Sequence, residues 1–134
     1  MIKTENILSD FIDKLEADDF FENIRITRAY PDEIKPTQLK KAVVAVGIRN
    51  IEVDESSIGQ DIKSGSYSLF ANIFVPYSYD KQTFERIVFR ICMDISELNL
   101  VAIEVSGVTA NTTAECYVMK SVFTFNDEIS FRRD

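Results

Sequence analysis

Apolar residues come in two rhythms along this chain. The first runs from Thr4 to about Ala17, where Ile7, Leu8, Phe11, Ile12 and Leu15 form one stripe of a 3.6-residue period. This predicts an amphipathic helix, with Thr4 able to cap it and Glu5 placed well for its dipole. "EADDFFEN" breaks the period, and Phe20 and Phe21 are expected to fold back as a latch on the same core. In "NIRITRAY", Ile24 and Ile26 alternate with Arg25 and Thr27, the pattern of a strand. Lys41 to Glu52 reads as a second strand. Val44, Val46 and Ile48 lie on one side and Val43 and Ala45 on the other, so its centre is apolar on both faces, as in an interior strand. Ser66 to Tyr77 reads as a third. Tyr67, Leu69, Ala71, Ile73 and Val75 share a face, and Pro76 ends the run.

The helical rhythm returns after Asp80, a capping residue. Phe84, Ile87, Val88, Ile91, Ile95 and Leu98 make a stripe, with Lys81, Glu85, Arg86, Arg90 and Asp94 on the other side. "LVAIEVSGVTA" and "AECYVMKSVFTFND" then alternate as two strands, joined as a hairpin around Asn111 and Thr112, and a polar tail is expected to end at the surface. The order α-β-β-β-α-β-β predicts an α+β fold. Its economical form is a two-layer sandwich: a mainly antiparallel sheet of about five strands with both helices on one face. No repeat or low-complexity segment divides residues 1–134, which read as a single domain.

Two stretches do not fit either rhythm. Tyr30 to Lys41, "YPDEIKPTQLKK", carries two prolines and a Lys-Lys pair, which neither a helix nor a central strand accepts. It reads as a stiff polar arm. Val53 to Gly65, "VDESSIGQDIKSG", reads as a long polar loop of a length that is often functional.

Charge narrows the choice of partners. The formal net charge is −7, which repels nucleic-acid phosphates and anionic membrane surfaces. No stretch approaches the roughly 20 apolar residues of a membrane span, and the N-terminus lacks the apolar core of a signal peptide. A cytoplasmic site of synthesis is expected. Histidine is absent, which removes the commonest acid–base group and transition-metal ligand. Cys92 and Cys116 are expected to be reduced core residues. The two glycines of "GQDIKSG" are spaced wrongly for a phosphate loop. The pairs Asp18–Asp19 and Asp127–Glu128 would need to converge in space to bind a cation or cleave a bond, and adjacent carboxylates usually diverge into solvent. Tyr30, Tyr77 and Tyr79 are not interleaved with a basic cluster and read as wet strand-end residues. An enzyme is not expected.

The order of elements, with "RAYPDEIKPTQLKKAVVAVGI", "GSYSLFANIFVPY" and the closing "FTFND", resembles the tail terminator proteins of long-tailed bacteriophages and prophage-derived tail-like particles. The likeness covers nearly the whole chain. It implies a hexameric ring of identical subunits that binds the last ring of the tail tube, ends tube polymerisation and offers a joining surface to the neck or head connector. For contractile particles the resemblance adds the sheath protein as a further partner. It further implies no reaction, no cofactor, no membrane, DNA only as passing cargo, and residence in the virion or particle after assembly in the host cytoplasm. Candidate interface residues are Tyr30, Pro31, Lys35, Pro36, Lys40 and Lys41 in the arm, and Asp54, Glu55, Ile58, Asp61 and Lys63 in the loop. Prolines and lysines on such an arm suppress edge-to-edge pairing of free subunits. Two other classes stay open: a neck or head-completion protein, and a small α+β enzyme or ligand-binding domain built from Asp, Glu, Tyr and Lys.

Overall fold

The structure is a computed structural model that describes residues 2–3, 6–28, 41–53, 62–80, 82–112 and 114–130. In chain order it contains β1 (Ile2–Lys3), α1 (Ile7–Glu16), a 3-10 turn (Asp19–Phe21), β2 (Arg25–Arg28), β3 (Val43–Val53) and β4 (Ile62–Pro76). Then come α2 (Gln82–Asp94), β5 (Leu100–Val105), β6 (Thr109–Asn111) and β7 (Cys116–Ser130). The expected α+β order is present, with β1 added at the front.

Two 15-residue strands, β4 and β7, form the centre of the sheet. They pair antiparallel from Ile62 opposite Ser130 to Pro76 opposite Cys116. β3 lies antiparallel on the far side of β4, and β2 lies parallel on β3. The other side of β7 is shared end to end by β6, β5 and the parallel β1. The sheet is mainly antiparallel, as expected, with two short parallel ladders where β1 and β2 join. β5 and β6 are one interrupted strand of the expected hairpin. Ser106 N still donates to Lys120 O at 2.8 Å across the interruption.

The alternation in β4 places Tyr67, Leu69, Ala71, Ile73 and Val75 on the core face, all essentially buried. Phe11 and Leu15 of α1, Ile87 and Ile91 of α2, and Phe123 and Phe125 of β7 complete a single core beneath both helices. Phe11 packs 6.0 Å from Phe123, and Tyr67 stacks 5.0 Å from Phe125. Ser121 is the polar residue on this face, and its hydroxyl donates to the Ala71 carbonyl at 2.7 Å. Asp80 caps α2 as expected, accepting from Gln82 N at 3.0 Å.

Several boundaries are corrected. α1 runs from Ile7, and Asn6 precedes it without a side-chain cap; Thr4 and Glu5, expected at its start, lie outside the described residues. β4 begins at Ile62 rather than Ser66. Its polar start pairs with β7, Ile62 to Ser64 lying opposite Ser130 to Glu128, and β3 joins on the other side from Gly65, opposite Val53. Gly65 belongs to this ladder and not to a loop. A Cβ there would overlap the Glu52 carbonyl oxygen, so only glycine admits so close a strand. β7 continues through residues 128–130, which were expected to be a surface tail. Ile48 keeps the Val44–Val46 face, opposite Leu69, but is 40% exposed; the bulge between Ile48 and Asn50 then resets the alternation so that Ile51, opposite Tyr67, packs against the core. Among the described residues no helix is long and apolar enough to cross a membrane.

Candidate assembly surface

Most of the sequence-predicted interface lies outside the described residues: Tyr30, Pro31, Lys35, Pro36 and Lys40 of the arm, and Asp54, Glu55, Ile58 and Asp61 of the loop. Lys41 is described and exposed, immediately before β3. Lys63 lies inside β4, its backbone paired with Ile129, rather than in a loop.

The structure singles out a surface that the sequence reading passed over. Residues 101–110 are all exposed, and Val101, Ile103, Val105 and Val108 are large apolar side chains among them. β5 and β6 pair with β7 on one side, and among the described residues no strand covers the other side. Such an edge is normally guarded by lysine, proline or a covering element. From Leu100 to Asn111 there is no lysine and no proline, and Glu104 is the lone charge. The alternation was read correctly as a strand, but period alone does not distinguish an inner strand from an edge. The missing guard residues were the available signal.

Among the described residues β2 forms the opposite edge of the sheet, with exposed Arg25 and Arg28. On the crest of α2, opposite its buried stripe, Phe89 is 65% exposed and Met93 50% exposed, one helical turn apart. Glu104 reaches Arg49 of β3 at 3.8 Å, a loose pair between two exposed side chains. Beside it, Glu104, Val105, Ser106, Lys120 and Val122 line an open depression of about 450 Å3.

One charged cluster also differs from expectation. Asp18 and Asp19 were expected to diverge into solvent, and Arg90 and Asp94 to lie on the solvent side of α2. Asp19 is exposed, but Asp18 turns inward. It accepts from Phe20 N at 2.9 Å and from Arg90 Nε and Nη2 at 3.0 and 2.6 Å. Arg90 also lies 5.3 Å from the Phe20 ring centroid. The flank of α2 that carries Arg90 and Asp94 thus clamps the 3-10 turn, which is why these residues leave the solvent side. The bond to Arg90, helped by the Phe20 N–H, holds the Asp18 carboxyl at about 2, while desolvation and the neighbouring Asp18 push Asp94 up to about 6. Asp94 Oδ2 is buried without a hydrogen-bond partner. The carboxylates converge, but the guanidinium already occupies the space between them and the rest of the turn, and the open depression lies elsewhere, on the β5 side.

Both thiols are free, and desolvation pushes both above the ordinary cysteine value, opposite to what a reactive thiolate needs. Tyr77 and Tyr79 are exposed at the end of β4, and Tyr77 leans on Tyr117 at 4.8 Å. Among the described residues no group of three or more acidic or cysteine side chains is placed to hold a metal ion. Compared with models of known families and with curated proteins, the chain matches none.

Proposed function

We propose that this chain is a structural assembly protein of a phage tail or tail-like particle, a terminator that closes the tail tube as a homo-oligomeric ring. The observation that carries the reading is the element order α-β-β-β-α-β-β together with the sequence phrases around Tyr30-Pro31, Lys35-Pro36, Ala42–Val46 and Phe123–Asp127. The surface supports it in kind. Among the described residues, a sheet covered by helices on one face, with unpaired outer edges and an exposed apolar helix crest, offers area for neighbours rather than a pocket that encloses a substrate. In this reading the ring, a hexamer, contacts the tube protein on one face and the neck or connector on the other, with sheath contacts in a contractile particle. DNA slides through without being held, as a net charge of −7 favours. The arm and the loop remain interface candidates alongside the β5–β6 edge. The neck or head-completion reading shares all of this except the target.

Deletion of the gene, followed by electron microscopy of the tails produced, tests the reading. The expected phenotype is tubes of uncontrolled length that fail to join heads. Tails of uniform length, joined to heads, would refute it.

A further inference from the structure

We infer that the outer edge of β5, at Ile103 and Val105, pairs with the outer edge of β2 in a neighbouring copy of this chain, so that the sheets of successive subunits join. The inference rests on the ring reading above and assigns its subunit contact.

The direction of the backbone groups follows from the ladder. Ser106 N donates inward to Lys120 O, and Val105 lies opposite Ser121, Glu104 opposite Val122 and Ile103 opposite Phe123. In an antiparallel pair, bonded and non-bonded positions alternate. Ser106, Glu104 and Ala102 therefore face β7, while the N–H and C=O of Ile103 and Val105 point away from it. β2 is read the same way. Arg25 N donates to Ala42 O, which turns Arg25 and Thr27 toward β3 and leaves the N–H and C=O of Ile26 and Arg28 facing outward. Each edge thus offers two consecutive outward-facing residues of matching spacing.

Charge chooses the partner. β2 carries Arg25 and Arg28 and no acid; β5 carries Glu104 and no base. Among the described residues Glu104 has just the loose 3.8 Å contact to Arg49, which an arginine of a neighbour can replace. Pairing β5 with β5 across a two-fold axis would bring the two Glu104 side chains close together and leave both β2 edges open. Pairing β5 with β2 uses both edges and is heterologous, the kind of contact that closes into a ring.

The test uses the purified full chain, with native mass spectrometry across a concentration series for assembly and circular dichroism for folding. Val105→Pro removes one outward N–H and leaves the β7 ladder intact, so it is expected to be folded and monomeric. Glu104 lies on the sheet face away from the helices, in register with Val122, and Arg25, in register with Val43, lies on that same face. Glu104→Arg and Arg25→Glu are each expected to raise the concentration needed for assembly about tenfold or more, and the two together to restore it. Rings that form equally well in Val105→Pro and in both charge variants would overturn the inference and leave the ring reading standing. Loss of assembly in each charge variant without rescue in the pair would overturn the match between β5 and β2. A wild-type chain that stays monomeric, or stops at a two-fold dimer, would remove the ring reading and this inference with it. Should Val105→Pro fail to fold, the charge pair decides alone.

Discussion

Replacing Asp94 by asparagine is expected to stabilise the fold at neutral pH. Asp18 already receives Arg90 and the Phe20 N–H, so an ionised Asp94 adds a second negative charge beside it with one oxygen buried and unpartnered. With a proton, Asp94 can instead donate to Asp18. Its carboxyl titrates at about 6 in the fold against 3.8 when free, so its contribution is fully favourable below about 3.8 and is lost as pH rises through 6. Asp18, held at about 2, works in the opposite sense: its contribution is present above its free value of 3.8 and is lost as pH falls through 2. The clamp is strongest where these windows meet, near pH 4, and is already weakened at pH 7. At about 1.36 kcal/mol per pH unit the rise from 3.8 to 6 sets a ceiling of about 3 kcal/mol. Asp94 is only partly buried, so solvent screening reduces this to on the order of 1 kcal/mol. An asparagine amide donates to Asp18 at any pH and removes the penalty. Urea melts at pH 5 and pH 7.5, at one protein concentration, measure it. The wild type should be less stable at pH 7.5, and Asp94→Asn should be more stable than wild type at pH 7.5 by about 1 kcal/mol, or roughly 4 °C in Tm. A variant weaker than wild type at pH 7.5 would refute the reasoning.

Three further outcomes follow from the packing. Gly65→Ala should cost about 3 kcal/mol because its Cβ meets the Glu52 backbone, whereas Gly47→Ala meets the ring of half-buried Phe70, which can swing aside, and should cost about 1 kcal/mol; thermal melts rank them. Ile91→Asp buries an unpaired carboxylate in the core and should remove several of the roughly 5–15 kcal/mol that hold a domain together, while Glu85→Ala on the exposed side should stay within about 0.5 kcal/mol; equal urea midpoints would mean the face of α2 is misassigned. Cys92 and Cys116 should react slowly with thiol reagents in the native protein at pH 7 and fully once it is unfolded, and fast native labelling would contradict their burial.

The elements that carry the core were legible because burial imposes a period. Phe84, Ile87, Ile91 and Ile95 sit at helical spacing and Tyr67 to Val75 at strand spacing, and each buried face matches. What stayed hidden depends on neighbours distant in sequence. The polar start of β4 looks like a loop until the end of β7 pairs with it, and the parallel seats of β1 and β2 leave no mark on period. Asp18 and Arg90 are 72 positions apart, so nothing local told that the acid turns inward. The candidate site was the least legible part. The arm and loop were chosen for odd composition, whereas the exposed β5–β6 edge reads as an ordinary strand whose one mark is the lack of a lysine or proline guard.

The most direct measurement is electron microscopy of purified tail tubes incubated with the purified protein. The account predicts a ring at one end of each tube, after which added tube protein no longer extends that end. Absence of binding, binding along the tube wall, or continued growth from an occupied end would contradict it.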